Sequence, residues 1–70
     1  MRIKFKVANN ITIASVATVS ETAESNVLRI TLMDNREYLL TGNTNMILNH
    51  FLSTGYYAAP DGSMKFINEI

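Results

Sequence analysis

The fold class that this sequence predicts is α+β: a small antiparallel β-meander, β-β-β-β-α-β, with one short helix packed on the sheet. Three observations predict it. Arg2 to Val7 alternates strictly between charged and apolar residues, the period of a half-buried strand. Leu28, Ile30 and Leu32 repeat that period in the middle of the chain. Ile47, Leu48, Phe51 and Leu52 then recur at helical spacing, one stripe of a short amphipathic helix.

In chain order, the first strand places Ile3, Phe5 and Val7 on one face and Arg2, Lys4 and Lys6 on the other. Asn9-Asn10 follows as a hairpin turn, because asparagine tolerates positive φ. Ile11 to Val19 is rich in β-branched residues and reads as the second strand. Its odd positions Ile11, Ile13, Ser15, Ala17 and Val19 form a series with Val16 on the opposite face, so a bulge is expected near Ser15. Ser20 to Asn26 is a polar, acidic loop. Val27 to Met33 is the third strand, Asp34 to Glu37 the next turn and Tyr38 to Thr41 the fourth strand.

Gly42 breaks the strand pattern, and Asn43 or Thr44 caps the helix. Gly55 stands at its C-terminal end. About three turns of helix are not stable alone, so the stripe must pack on the sheet. Tyr56 to Gly62 reads as a loop, and Met64 to Ile70 as a fifth strand with Met64, Phe66 and Ile70 inward. The alternative architecture is a small closed barrel of the SH3-like sort, in which only a short helical turn precedes the last strand. The longer helix here favours the open sheet.

Seventy residues make a single small globular domain, residues 1–70, with a thin margin of stability. With no cysteine and one histidine, neither disulfides nor a Cys- or His-rich metal site is available. No metal and no cofactor is expected. The start of the chain alternates charge and apolar side chains, which is not the pattern of a secretory leader, and nothing approaches the length of a membrane span. A reducing cytoplasm and no membrane partner are the matching expectations. Formal net charge is zero, yet Arg2, Lys4 and Lys6 gather on the first strand and make one edge basic.

No catalytic residue is expected. Nucleophilic catalysis needs a nucleophile and a base held together, and His50 lies on the helix with no nucleophile or acid placed to work with it. Glu21 with Glu24, and Asp34 with Glu37, are the solubilising residues of hairpin tips. The three glycines are scattered singly, which is not a phosphate-cradling loop.

Two features point to a partner instead. A two-residue turn at Asn35-Arg36 pairs Met33 with Tyr38 and makes both faces of the third and fourth strands apolar. Met33, Tyr38 and Leu40, with Arg36 on the rim, then form a patch covered by barrel closure, a second copy of the chain or another protein. Tyr56 and Tyr57 are adjacent, so at least one ring shows to solvent, a feature favoured at interfaces. One reading has Tyr56 capping the helix against the core and Tyr57 on the surface.

The expected function is a non-catalytic protein-interaction module. The short, asparagine-rich frame suits a bacterial or prophage-encoded inhibitor or assembly factor docking on a larger protein, an expectation by analogy. The partner is another protein or a second copy, as a homodimer. The second reading is a small nucleic-acid binder whose Arg2, Lys4 and Lys6, spaced about 7 Å apart along a strand, follow phosphates. Against it, no aromatic residue interleaves with these cations on their face, since Phe5 points inward, and lysine on an edge strand also guards against aggregation.

Overall fold

The computed structural model describes residues 1–70 as a six-stranded, curled half-barrel sheet with one helix. The strands are β1 (Arg2–Val7), β2 (Asn10–Glu21), β3 (Val27–Leu32), β4 (Arg36–Thr41), β5 (Tyr56–Ala58) and β6 (Met64–Glu69); helix α1 (Thr44–Thr54) falls between β4 and β5. The order across the sheet is β5-β1-β2-β3-β4-β6. All neighbours are antiparallel except β1 and β5, which are parallel.

The expected meander and single helix are present, and the sheet is neither flat nor fully closed. Phe5 on β1 and Tyr38 on β4 meet at 4.8 Å between ring centroids. In a flat sheet those strands would lie about 14 Å apart. The curl follows from β2. This strand is twelve residues long and shifts register between Val16 and Thr18. Such a bulge bends a strand and raises its twist, so the first half of β2 pairs with β1 and the second half with β3. The bulge lies within two residues of the place the sequence marks.

Both central hairpins differ from expectation in their turns. The first turn is Ala8-Asn9, both at positive φ (52° and 64°), with Val7 opposite Asn10. Positive φ at both positions matches the twist of a two-residue hairpin. The β3–β4 turn is longer than the expected two residues. Asn35 carries the positive φ (71°), its N–H donates to the Leu32 carbonyl at 3.0 Å, and Asp34 Oδ1 accepts from the Arg36 N–H. Ile30 therefore stands opposite Tyr38, and Leu28 opposite Leu40.

That register removes the conflict of two apolar faces. Leu28, Ile30, Leu32, Tyr38 and Leu40 all point inward and are buried. The expectation that Tyr38 and Leu40 stand outside with Met33 is thereby corrected, because an extra turn residue reverses which side chains share a face. Ile3, Phe5, Val16, Ile47, Phe51 and Met64 complete the core. Tyr38 belongs to this core, with the Phe5 and Phe66 rings 4.8 and 5.5 Å from its own.

The helix leaves β4 and delivers the chain to the start of β1, where the Arg2 N–H donates to the Gly55 carbonyl at 2.8 Å. Asn43 caps it, accepting from the Met46 N–H at 3.0 Å. Gly55 ends it in the left-handed region, φ 70°, where L side chains are strained. A Cβ at Gly42 would meet the Ile47 Cδ1 methyl at 2.9 Å, so that side-chain end would have to shift. Ile47 and Phe51 enter the core, but Leu52 is 84% exposed, so the inward stripe is narrower than its spacing suggests.

Residues Tyr56–Ala58, expected as loop, form the short parallel strand β5 beside Arg2–Lys4. Three residues are too few to show a period of two. The last strand matches its expected place, with Met64 buried, but of the other two residues expected inward Phe66 is 46% and Ile70 72% exposed. A register shift between Glu37 and Tyr38 leaves Ile67 without an opposite number, so alternation is lost along this edge strand.

Candidate interaction surface

The hairpin of β1 and β2 has a parity that decides its outer face. Arg2 stands opposite Ser15, Lys4 opposite Ile13 and Lys6 opposite Ile11. Antiparallel neighbours point to the same side, so the three cations and the two isoleucines share one surface. Ile11 is 67% and Ile13 55% exposed. The inward series of β2 is therefore Thr12, Ala14 and Val16, opposite to the odd-numbered series that its apolar residues suggest.

The same surface continues sideways on both flanks. On one side Tyr56 lies beside Arg2 and Ala58 beside Lys4 in the parallel β5 register. On the other, the Met33 N–H donates to the Ser15 carbonyl at 3.0 Å, and Met33 is 67% exposed. One row thus reads Tyr56, Arg2, Ser15, Met33, and the next Ala58, Lys4, Ile13. A sheet face turned to water ordinarily carries polar residues. The outer face of β2, β3 and β4 does so: Ser20, Arg29, Thr31 and Glu37 stand there around a half-buried Leu39. The β1–β2 face instead interleaves cations with bare aliphatic groups.

Its electrostatics are one-sided. No ion pair engages Arg2 or Lys4, and Lys6 meets a single carboxylate, Asp61, at 3.8 Å. Asp61 belongs to the turn between β5 and β6 and its side chain is 78% exposed. The screened attraction between such groups is small. Beside this pair runs a groove of about 220 Å³ lined by Lys4, Lys6, Ile11, Ala58, Ala59 and Pro60. Its lining mixes two lysines and the Asp61 carboxylate with apolar side chains.

The other residues singled out from the sequence fall elsewhere. Arg36 is tied down: its Nε donates to Asp34 Oδ2 at 2.7 Å and its guanidinium to the Tyr38 hydroxyl at 3.2 Å. The Arg36 backbone N–H is the main cause holding the Asp34 carboxyl below its ordinary pKa, helped by the guanidinium. Asp34 in turn raises Arg36. Tyr57, not Tyr56, packs at the helix end, its ring 5.9 Å from Phe51 and 5.8 Å from His50. Tyr56 alternates to the other face of β5 and stands in register with Arg2, so the basic strand does have an aromatic neighbour, supplied by β5. His50 is exposed, and its backbone carbonyl accepts from the Ser53 and Thr54 hydroxyls. No group of three or more His, Cys, Asp or Glu residues converges. No helix is long and apolar enough to cross a membrane.

Ile11, Ile13 and Asp61 are the members of this surface that the linear pattern does not single out. The signal was present in the hairpin: any two-residue turn there pairs odd residues of β1 with even residues of β2, and so puts Ile11 and Ile13 on the side of the cations. Comparisons of the chain with protein-family models, with curated proteins and with solved structures returned no match.

Proposed function

We propose that this chain is a non-catalytic protein-interaction module that docks on a larger protein through the outer face of β1 and β2. The observation that carries the reading is the exposure of Ile11, Ile13 and Met33 on a regular strand face interleaved with Arg2, Lys4 and Lys6. Burying three such side chains contributes about 3–6 kcal/mol, given that they are already partly covered. Association itself costs a comparable or larger amount, so the cations must also find partners. Their sign argues for a different protein over a second copy. A two-fold contact of this face with itself sets three cations against the same three, with Asp61 the one carboxylate near them. A small inhibitor or assembly factor, encoded by a bacterium or prophage and acting in a reducing compartment, suits such a module by analogy.

The test is a photo-crosslinking amino acid at position 13 in the native host, followed by purification of the captured protein and reconstitution of the complex. The expected result is a reconstituted complex that Ile13→Glu weakens while the variant stays folded. A complex indifferent to Ile11, Ile13 and Met33 overturns the reading.

A second reading, a small nucleic-acid binder, is favoured by one observation: Tyr56 stands beside Arg2, a ring next to a phosphate-binding cation. It predicts oligonucleotide binding that falls steeply with salt. The aliphatic groups weigh against it, since bases stack on aromatic rings and leave Ile11 and Ile13 without a role.

A further inference from the structure

The interaction face consists of two parallel rails, and their geometry specifies the shape of what fits. One rail is cationic: Arg2, Lys4 and Lys6 along β1. The other is aliphatic: Ile13 and Ile11 along β2, set directly beside Lys4 and Lys6. Neighbouring strands lie about 4.8 Å apart, and alternate residues of a strand about 6.8 Å apart.

An extended peptide laid on this face presents every second side chain in a single line, so it serves one rail and leaves the other uncovered. An α-helix presents two adjacent stripes. Side chains four apart rise about 6 Å along the axis, close to the spacing of the cations and within the reach of flexible lysine and glutamate. The stripe one position earlier is turned about 100° around the axis, which at a Cα radius of about 2.3 Å sets it about 3.5 Å aside at the backbone and further at the side-chain ends, close to the separation of the rails. The cationic rail runs about 14 Å from Arg2 to Lys6, the length of about nine helical residues.

Resting on the protein-interaction reading, we infer that the partner segment is an acidic amphipathic helix of two to three turns. Its carboxylates recur at every fourth position, and its leucine-like side chains fill the position before each. The carboxylates stand over Arg2, Lys4 and Lys6, and the aliphatic stripe covers Ile11 and Ile13. The chain already carries one carboxylate on this rail: Asp61, 3.8 Å from Lys6 Nζ at the edge of the groove. It occupies the place of a partner's last acidic group and competes with it. A nucleic acid offers the charge but no aliphatic stripe, and a second copy offers cations in place of carboxylates.

The experiment uses the full chain, isotopically labelled, and an alanine-based capped peptide of about twelve residues with that spacing of glutamate and leucine. A short helix is marginal in water, so weak affinity is expected and amide-shift titration is the suitable assay. Saturable shifts at Arg2–Lys6 and Ile11–Ile13 support the inference. Lys4→Glu should weaken binding at least about tenfold, and Asp61→Asn should strengthen it about two- to fivefold, by removal of a competing charge. A peptide of equal composition with glutamate and leucine on opposite faces should bind markedly less. Equal binding of the two peptides, or no shift of these amides at high peptide excess, overturns the helix. Tighter binding of a thymidine oligonucleotide than of the peptide overturns it in favour of nucleic acid. If the peptide fails while position 13 still crosslinks to a protein that reconstitutes, the interaction reading stands and the helical partner alone is lost.

Discussion

Truncating Tyr38 to alanine removes the ring that ties β1 to β6 through the middle of the curl. The side chain is 4% exposed, with Phe5 at 4.8 Å and Phe66 at 5.5 Å. Deleting a buried ring costs about 3–5 kcal/mol in transfer and cavity terms. The two aromatic contacts, one tilted and one edge-to-face, account for about 0.5–1.5 kcal/mol each beyond simple burial. A chain of this length holds a total stability of about 4–10 kcal/mol, so the variant should lose about half of it or unfold. Tyr38→Phe keeps the rings and loses only the hydrogen bond from Arg36 at 3.2 Å, a part-buried contact worth about 0.5–1.5 kcal/mol. Urea unfolding followed by circular dichroism distinguishes them: a large fall in midpoint for alanine, a small one for phenylalanine. An alanine variant with an unchanged midpoint but altered self-association, measured by sedimentation, would refute the reasoning. It would put the ring on the surface.

Ile13→Ser should leave stability within about 0.5 kcal/mol, as surface substitutions do, and the same urea series checks it. Asn43→Ala removes the cap on Met46 and should cost about 1 kcal/mol, read as a lower midpoint and stronger fraying of the first helical turn in hydrogen exchange. Asp34 should titrate below the ordinary aspartate value, because the Arg36 N–H and then its guanidinium favour the charged form. Since its folded pKa is depressed, its contribution is present above the unfolded value and lost as pH falls through the folded one. The carboxyl carbon shift of Asp34 checks the direction, and Asp34→Asn should remove that part of the acid dependence. Gly55→Ala forces a side chain into the left-handed region and should cost about 1 kcal/mol.

Much of the fold was legible because period and breakers agree in this chain. The alternation in β1 and β3, the helix between Asn43 and Gly55 and the bulge in β2 each follow from local chemistry. β5 was not legible, since three residues cannot display a period and its parallel pairing with β1 is a tertiary event. Leu52 was misassigned because spacing defines a stripe but not which edge of it the sheet reaches. The tyrosine pair was half legible: alternation puts the two half-buried rings on opposite faces, but which one meets the helix depends on the frame that β1 imposes on β5.

The interaction face turns on parity, and parity is set by turns. A turn of two residues pairs odd numbers with even; one residue more or less pairs odd with odd and even with even. In the first hairpin, a turn at either Asn9-Asn10 or Ala8-Asn9 leaves the parity unchanged, so Ile11 and Ile13 face outward whichever is chosen. Hydropathy alone argues the reverse, and the ladder overrides it because Ile3 and Phe5 are committed to the core. In the second hairpin the length of the turn matters. Asn35 at φ 71° extends the Asp34 turn, and that extension carries Tyr38 and Leu40 from the outside to the inside. The apolar excess that looks like an exposed patch on β3 and β4 is thus absorbed by the curl. Leu52 and Ile70 stay outside singly, on the helix and at the chain end, whereas Ile11, Ile13 and Met33 stay outside together, on and beside the β1–β2 face among the cations, where burial in the chain's own core cannot account for them.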